Sequence, residues 1–318
     1  MAVSGSSRGG MSPLVHAGNG SIASLSNVAI EWLFVSPSLA ISRYRCRVHD
    51  GVGREQAQPW HVIVFPHSGA FELEQFGQRV FVDPNQVLLL NAGAPYTTRH
   101  PIGGCDEGCA IVLRPDLLRE LSSTHEPAVA ARPQRPFLAN RTRVSARAAL
   151  LQRWLFRGLA GAQPLDALVI QESTLALADE VLGSIPRQRR PTVGAAAQRR
   201  QRDLVEAARQ LIADSYRQSL TLDRLAAQLE TSPFHLCRLF REQTGFSIHR
   251  YLVRLRLQEA LSRLDEAHGS LTGLALDLGF SSHSHFTSAF RRHFGVPPSA
   301  ARDCLTPEQL RHLTQQLA

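Results

Sequence analysis

The chain of 318 residues contains no lysine, so every one of its 35 basic side chains is an arginine. Long apolar runs are missing as well. The longest stretches, such as Trp60 to Phe65 and Val87 to Leu90, are strand-sized, whereas about 20 residues are needed to cross a bilayer, so no membrane span is expected. From Met1 to about Asn27 the chain is rich in Gly and Ser and has no apolar segment of the secretory type. A disordered tail is expected over residues 1–27, with Met11 as an alternative start. Cysteines are few and odd in number: Cys46, Cys105, Cys109, Cys237 and Cys304 show no disulfide-framework spacing, which favours a reducing cytoplasm. Neither a Gly-rich phosphate loop nor a nucleophile elbow is present, which counts against an enzyme.

What the chain does have is a soluble globular composition, 43% hydrophobic and 19% charged, and a length that suggests two domains. The formal net charge of +8 is unevenly placed. From Arg187 onward 19 arginines stand against 12 acidic residues, and before it 16 stand against 15, so the excess sits in the C-terminal half. A polyanionic partner would account for that asymmetry, and so would a basic solvated face.

Between about Glu31 and Leu113 short apolar runs alternate with turn residues, the pattern of a β-rich unit. Strands are expected over Trp60 to Phe65, Ala70 to Gln75, Gln78 to Val82, Gln86 to Leu90 and Cys109 to Leu113, forming a compact barrel or sandwich. Asp83-Pro84-Asn85 and Asn91-Ala92-Gly93 supply turns. The period then becomes helical over Val144 to Leu159 and Leu165 to Ile185. In the second segment Leu168, Leu175 and Leu182 recur seven apart, which fits either core packing or a dimer seam. Residues 186–202, with two Pro, a Gly and six Arg, read as an exposed linker. The organisation expected is therefore a sensor domain over 28–185, a linker over 186–202, a helical domain over 203–302 and an extension over 303–318.

The helical domain contains an internal repeat. Leu222, Leu225, Ala226 and Leu229 recur 49 residues later as Leu271, Leu274, Ala275 and Leu278. Leu236, Phe240 and Gly245 recur 50 residues later as Phe286, Phe290 and Gly295. The first four of each copy stand at i, i+3, i+4 and i+7, one buried helix face. Thr221, Ser232, Ser270 and Ser282 are placed as N-caps, Pro233 suits the first helical position, and Gly279 ends a helix. A short helix, a tight turn and a capped second helix make a helix-turn-helix, here twice.

Within each second helix the buried side leaves an opposite stripe. In the first copy it is Phe234, Cys237, Arg238 and Arg241, and in the second His283, Ser284, Thr287, Ser288 and Arg291. A short helix with such a stripe fits the major groove of duplex DNA. Arg238 is the strongest base-reading candidate, because a guanidinium can pair bidentately with guanine. Arg292 lies off the stripe and suits a phosphate contact. A helical domain with a merely solvated polar face is the competing reading for one copy, and duplication at fixed spacing argues against it.

Ser232-Pro233, Leu236, Arg238, Phe240, Thr244-Gly245, Tyr251, Arg256, Ala260, Gly279-Phe280, Phe286, Phe290, Gly295, Pro298 and Arg302 together resemble the DNA-binding domain of the AraC/XylS family, over about Asp203 to Arg302. The resemblance implies two helical subdomains joined by a long helix, here about Ser247 to Asp265, with recognition helices in successive major-groove segments. It also implies RNA polymerase as a partner, activation of transcription, and a homodimer. Cys237 and Ser288 stand where longer polar or basic side chains are frequent in the family.

The N-terminal half, about Glu31 to Ile185, resembles the cupin-like sensor and dimerisation region of the same family. The fold class expected is thus α+β, a β-rich cupin-like barrel with two following helices and an all-α domain with two helix-turn-helix units. A small-molecule effector in the barrel is implied, and no cofactor is expected. Cys46, His61, His100, Cys105 and Cys109 are metal-ligand types within this half. The Cys-x-x-x-Cys spacing is not that of a zinc ribbon, and the His-x-His followed by Glu of metal-binding cupins is missing. Structural thiols and loop histidines, a metal- or thiol-responsive regulator, and a metalloenzyme tethered to DNA all remain open, as does an architectural DNA protein without a ligand.

Overall fold

A computed structural model of the protein describes residues 28–46, 53, 55–75, 77–101, 106–129, 132, 134–161, 165–185, 194–265 and 270–303. The expected tail, the first part of the linker, Cys105, and the extension beyond residue 303 with Cys304 lie outside them.

The N-terminal half consists of antiparallel strands β1 (Val28–Val35), β2 (Leu39–Cys46), β3 (Gln56–Ala57), β4 (Val62–Ser68), β5 (Phe71–Gln75), β6 (Gln78–Val82), β7 (Gln86–Leu90), β8 (Pro95–Arg99), β9 (Asp106–Leu113) and β10 (Arg141–Arg143). Six strands form one sheet in the order β1-β2-β9-β4-β7-β10, and four form another in the order β3-β8-β5-β6. Period-2 alternation gives the larger sheet two apolar faces. Ala40, Val62, Val64, Leu88, Leu90 and Val112 face Phe71, Leu73, Val80, Val82 and Tyr96 of the smaller sheet. Leu39, Ile41, Ile63, Phe65, Leu89, Cys109 and Ile111 face helices on the other side.

The two sheets do not close into the expected barrel. Where β1 and β3 would have to pair, their side chains line a cavity instead, and Trp32 meets Trp60 edge-to-face at 6.3 Å between ring centroids. Side-chain packing there takes the place of a backbone ladder.

Three helices follow or flank the strands: α1 (Pro115–His125), α2 (Ala146–Ala160) and α3 (Ala167–Gly183). Ser145 and Asp166 cap α2 and α3 by accepting from the backbone N–H groups of Ala148 and Leu168. The buried face of α3 is Ile170, Thr174, Leu177, Ala178, Val181 and Leu182. The heptad leucines do not share it: Leu182 is buried, Leu175 is half-buried, and Leu168 is 61% exposed. A straight helix drifts about 20° per heptad, so residues 14 apart no longer point the same way.

The C-terminal half is entirely helical among the described residues, with α4 (Ala195–Ser215), α5 (Leu222–Gln228), α6 (Pro233–Thr244), α7 (Ile248–Arg263), α8 (Leu271–Asp277), α9 (His283–Phe294) and α10 (Pro298–Arg302). Residues 195–202, read from sequence as linker, are the first two turns of α4. Three consecutive alanines favour helix, and the arginines that suggested exposure are the outer side of an amphipathic helix whose inner side is Val205, Ala208 and Ile212.

The halves share their cores. Leu257, Ala260 and Leu261 of α7 and its C-cap residue Leu264, with α8 and α9, pack into the cluster that covers the outer face of the larger sheet. Ala70, in the turn before β5, and Phe81 of β6 join the cluster formed by α4 to α7.

Candidate nucleic-acid interface and effector cavity

Both helix-turn-helix units are built as their local sequence dictates. Thr221 and Ser270 accept from the N–H groups of Arg224 and Gly273 to start α5 and α8, and Ser232 and Ser282 accept from those of His235 and His285 to start α6 and α9. Gly245 and Gly295 end α6 and α9 in the left-handed region, at φ 73° and 78°. The turn within each unit also passes through that region, at Glu230 in the first copy (φ 50°) and Gly279 in the second (φ 81°).

On α6, Leu236, Leu239 and Phe240 are buried, and Phe234, Arg238 and Arg241 are exposed, Phe234 by 79%; Cys237 is intermediate. On α9, Phe286, Ala289, Phe290 and Phe294 are buried, while His283, Ser284, Ser288, Arg291 and Arg292 are exposed and Thr287 is intermediate. Arg238 pairs with Glu242 one turn along at 3.0 Å, both side chains half in solvent. Such a surface pair is worth at most a few tenths of a kcal/mol, so the guanidinium is easily released. His285 turns away from this stripe to Ser281 and the Phe280 ring.

Helix α7 joins the units, and Arg256 on it fixes their relative placement. Its guanidinium donates to the carbonyls of Tyr216 (2.7 Å) and Gln218 (3.0 Å) beside the first unit and of Gly279 (2.7 Å) in the turn of the second.

In the sensor half a cavity of about 600 Å³ lies between the sheets. Its walls are largely apolar, with Val62, Val64, Leu73, Leu88, Leu90, Val112, Trp32 and Trp60; Cys46, His100 and Asp106 meet at one end, and Ser42, Tyr44, Gln56, Gln58 and Thr98 are further polar groups of the lining. His100 Nε2 is 2.6 Å from Asp106 Oδ1, and both are buried. Burial alone would lower the imidazole, but its contacts with Asp106 and Cys46 hold it up at about 9.

Of the metal-ligand types named from sequence, the structure brings together only Cys46 and His100 among the described residues, and adds Asp106, which sequence reasoning missed. His61 and Cys109 point to the opposite face of the larger sheet. His61 Nδ1 accepts from Ala92 N–H at 3.0 Å and its ring meets Phe137, with burial lowering its pKa. Cys109 is fully buried, which pushes its thiol up, and it accepts from Gln152 at 3.6 Å.

A sequence model of an AraC-binding-like domain matches residues 34–183, and one of a helix-turn-helix domain matches residues 225–303. The chain belongs to the AraC family of transcriptional regulators. Family relatives similar to it include the HTH-type transcriptional activator RhaS of Escherichia coli O157:H7, 37% identical over 89 residues, which are 28% of this chain and 32% of the relative. The match thus spans about a third of the curated relatives' length. Among solved structures, the C-terminal domain of AraT, a response regulator from Geobacillus stearothermophilus, is 28% identical, covering 33% of this chain and 88% of that one at a TM-score of 0.31. ToxT from Vibrio cholerae O395 is 14% identical, covering 86% of this chain and 100% of that one at a TM-score of 0.33.

No helix among the described residues is long and apolar enough to cross a membrane.

Proposed function

We propose that the protein is a cytoplasmic transcription regulator that binds duplex DNA sequence-specifically through α6 and α9, under the control of a small molecule held between its two sheets. The observation that carries this reading is the pair of exposed stripes, each on the capped second helix of its unit and both tied to one helix by Arg256. Phe234, Cys237, Arg238 and Arg241 would read one major-groove segment, and His283, Ser284, Thr287, Ser288 and Arg291 the next, with Arg292 on phosphate. The largely apolar cavity with one polar end supports a small, mostly apolar effector with a polar head group.

Membership of the family supports a homodimer that contacts RNA polymerase and activates transcription. With Leu182 committed to the chain's own core, the exposed face of α3 around Leu168 is the part of the heptad stripe open to a second copy. Selection of genomic fragments by the full-length protein tests the central point. Enrichment of a common motif with two half-sites about one helical turn apart is expected. Recovery of fragments with no shared motif, at an affinity set by salt alone, would reduce the protein to a non-specific DNA binder.

A further inference from the structure

The polar end of the cavity has the composition of a metal site. On β2 the residues Ser42, Tyr44 and Cys46 alternate into the cavity, and Cys46 stands directly across the ladder from Asp106, the first residue of β9. His100 follows the last residue of β8, in the other sheet. One ligand atom from each of the three lies within 4.8 Å of the other two, and the residues are only 4%, 6% and 3% exposed. A thiol, an imidazole and a carboxylate are a borderline-soft donor set, suited to zinc and its neighbours rather than to calcium or magnesium. Tetrahedral zinc, with bonds of about 2.0–2.3 Å, sets its ligand atoms about 3.5 Å apart, so the triad is within small side-chain adjustments of that geometry.

We propose that Cys46, His100 and Asp106 form a three-ligand site for a borderline-soft divalent cation, zinc foremost, with the fourth coordination position facing the cavity. Binding releases the Cys46 thiol proton and the proton held between His100 and Asp106, and the ion takes over the role of both hydrogens. Because the ligands come from both sheets, the ion links them near the end where they do not pair. The Tyr44 hydroxyl, on the same strand face and buried with no hydrogen-bond partner among the described residues, is a donor for whatever occupies the fourth position. The site stands on the triad's geometry and is independent of the DNA-binding reading. It extends the effector reading, because a head group able to bind metal could complete the tetrahedron.

The test is titration of the chelator-treated, full-length protein with Co²⁺, followed by competition with Zn²⁺. One equivalent of Co²⁺ is expected to give tetrahedral d–d bands together with a thiolate-to-cobalt charge-transfer band, both erased by Zn²⁺. Cys46→Ser removes the charge-transfer band, and His100→Ala and Asp106→Asn each weaken binding at least tenfold. Cys109→Ser, on the other face of the sheet, leaves the spectrum unchanged. Absence of stoichiometric Co²⁺ and Zn²⁺ binding by the wild-type protein overturns the proposal without recourse to any variant. A charge-transfer band that survives Cys46→Ser overturns it equally. Operator binding, measured separately on the same samples, tells a failed metal site from a failed regulator.

Discussion

Tyr251, on the helix that joins the two helix-turn-helix units, donates a 2.5 Å hydrogen bond to Asp83 in the turn between β6 and β7 of the sensor half. Both residues are buried, and other polar groups surround the contact. Asn85 donates to the Tyr251 carbonyl, and Arg141 of β10 forms a bidentate pair with Glu206 of α4, which also accepts from the Phe81 N–H. Burial raises the Asp83 carboxyl, opposed first by the Tyr251 hydrogen bond. The sensor sheets are thus joined to the scaffold of the recognition helices through named atoms. Tyr251→Phe strands a buried acceptor and should lower stability by about 1–3 kcal/mol in denaturant unfolding. A loss below about 0.5 kcal/mol would mean the contact does not bind the halves.

Glu259, also on α7, is a second buried acid at this junction. Burial pushes it up to about 7, against the opposing pull of Arg217 and Arg263. The folded state therefore holds this proton more tightly than the unfolded chain, where a glutamate titrates near 4.5. Its contribution is most favourable below that value and is lost as pH rises through about 7, a swing on the order of 3 kcal/mol. Glu259→Gln should flatten the stability profile between about pH 5 and 8 and stabilise the protein at the upper end. Parallel melting-temperature curves for wild type and variant would assign the pH dependence to other groups.

Much of the C-terminal half was legible because its signals are local. Thr221, Ser232, Ser270 and Ser282 each make the cap hydrogen bond their position implied, whereas the left-handed turn shared by Glu230 and Gly279 shows only in the structure, because glutamate does not announce it. The sensor half was legible only in part. Strand β2 is buried on both faces over its first four residues, so alternation does not mark it. The cavity triad was half-visible: Cys46 and His100 are conspicuous ligand types, but Asp106 joins them only through the β2–β9 register and the approach of the second sheet. Asp83 read as a turn residue, and nothing local announces its partner on α7.

Filling the cavity should separate sensing from DNA binding. Ala110 on β9 lines it opposite the smaller sheet, and Ala110→Phe places a ring in that space while leaving both recognition stripes untouched. Operator binding without effector should stay within about twofold of wild type, and the response to an effector found by ligand screening should disappear, since an occupied pocket offers no differential affinity. A variant that still responds fully would move the effector site elsewhere.

If the two exposed helix faces read separate DNA segments, operator libraries selected against three variants will separate their roles. Arg238→Ala should lose about 1–3 kcal/mol of discrimination at one base-pair position, and His283→Ala should change preference about one helical turn away. Arg292→Ala should weaken all sequences nearly alike and reduce the salt slope by about one contact. Uniform weakening of every operator by both Arg238→Ala and His283→Ala would contradict that reading and make these side chains phosphate contacts.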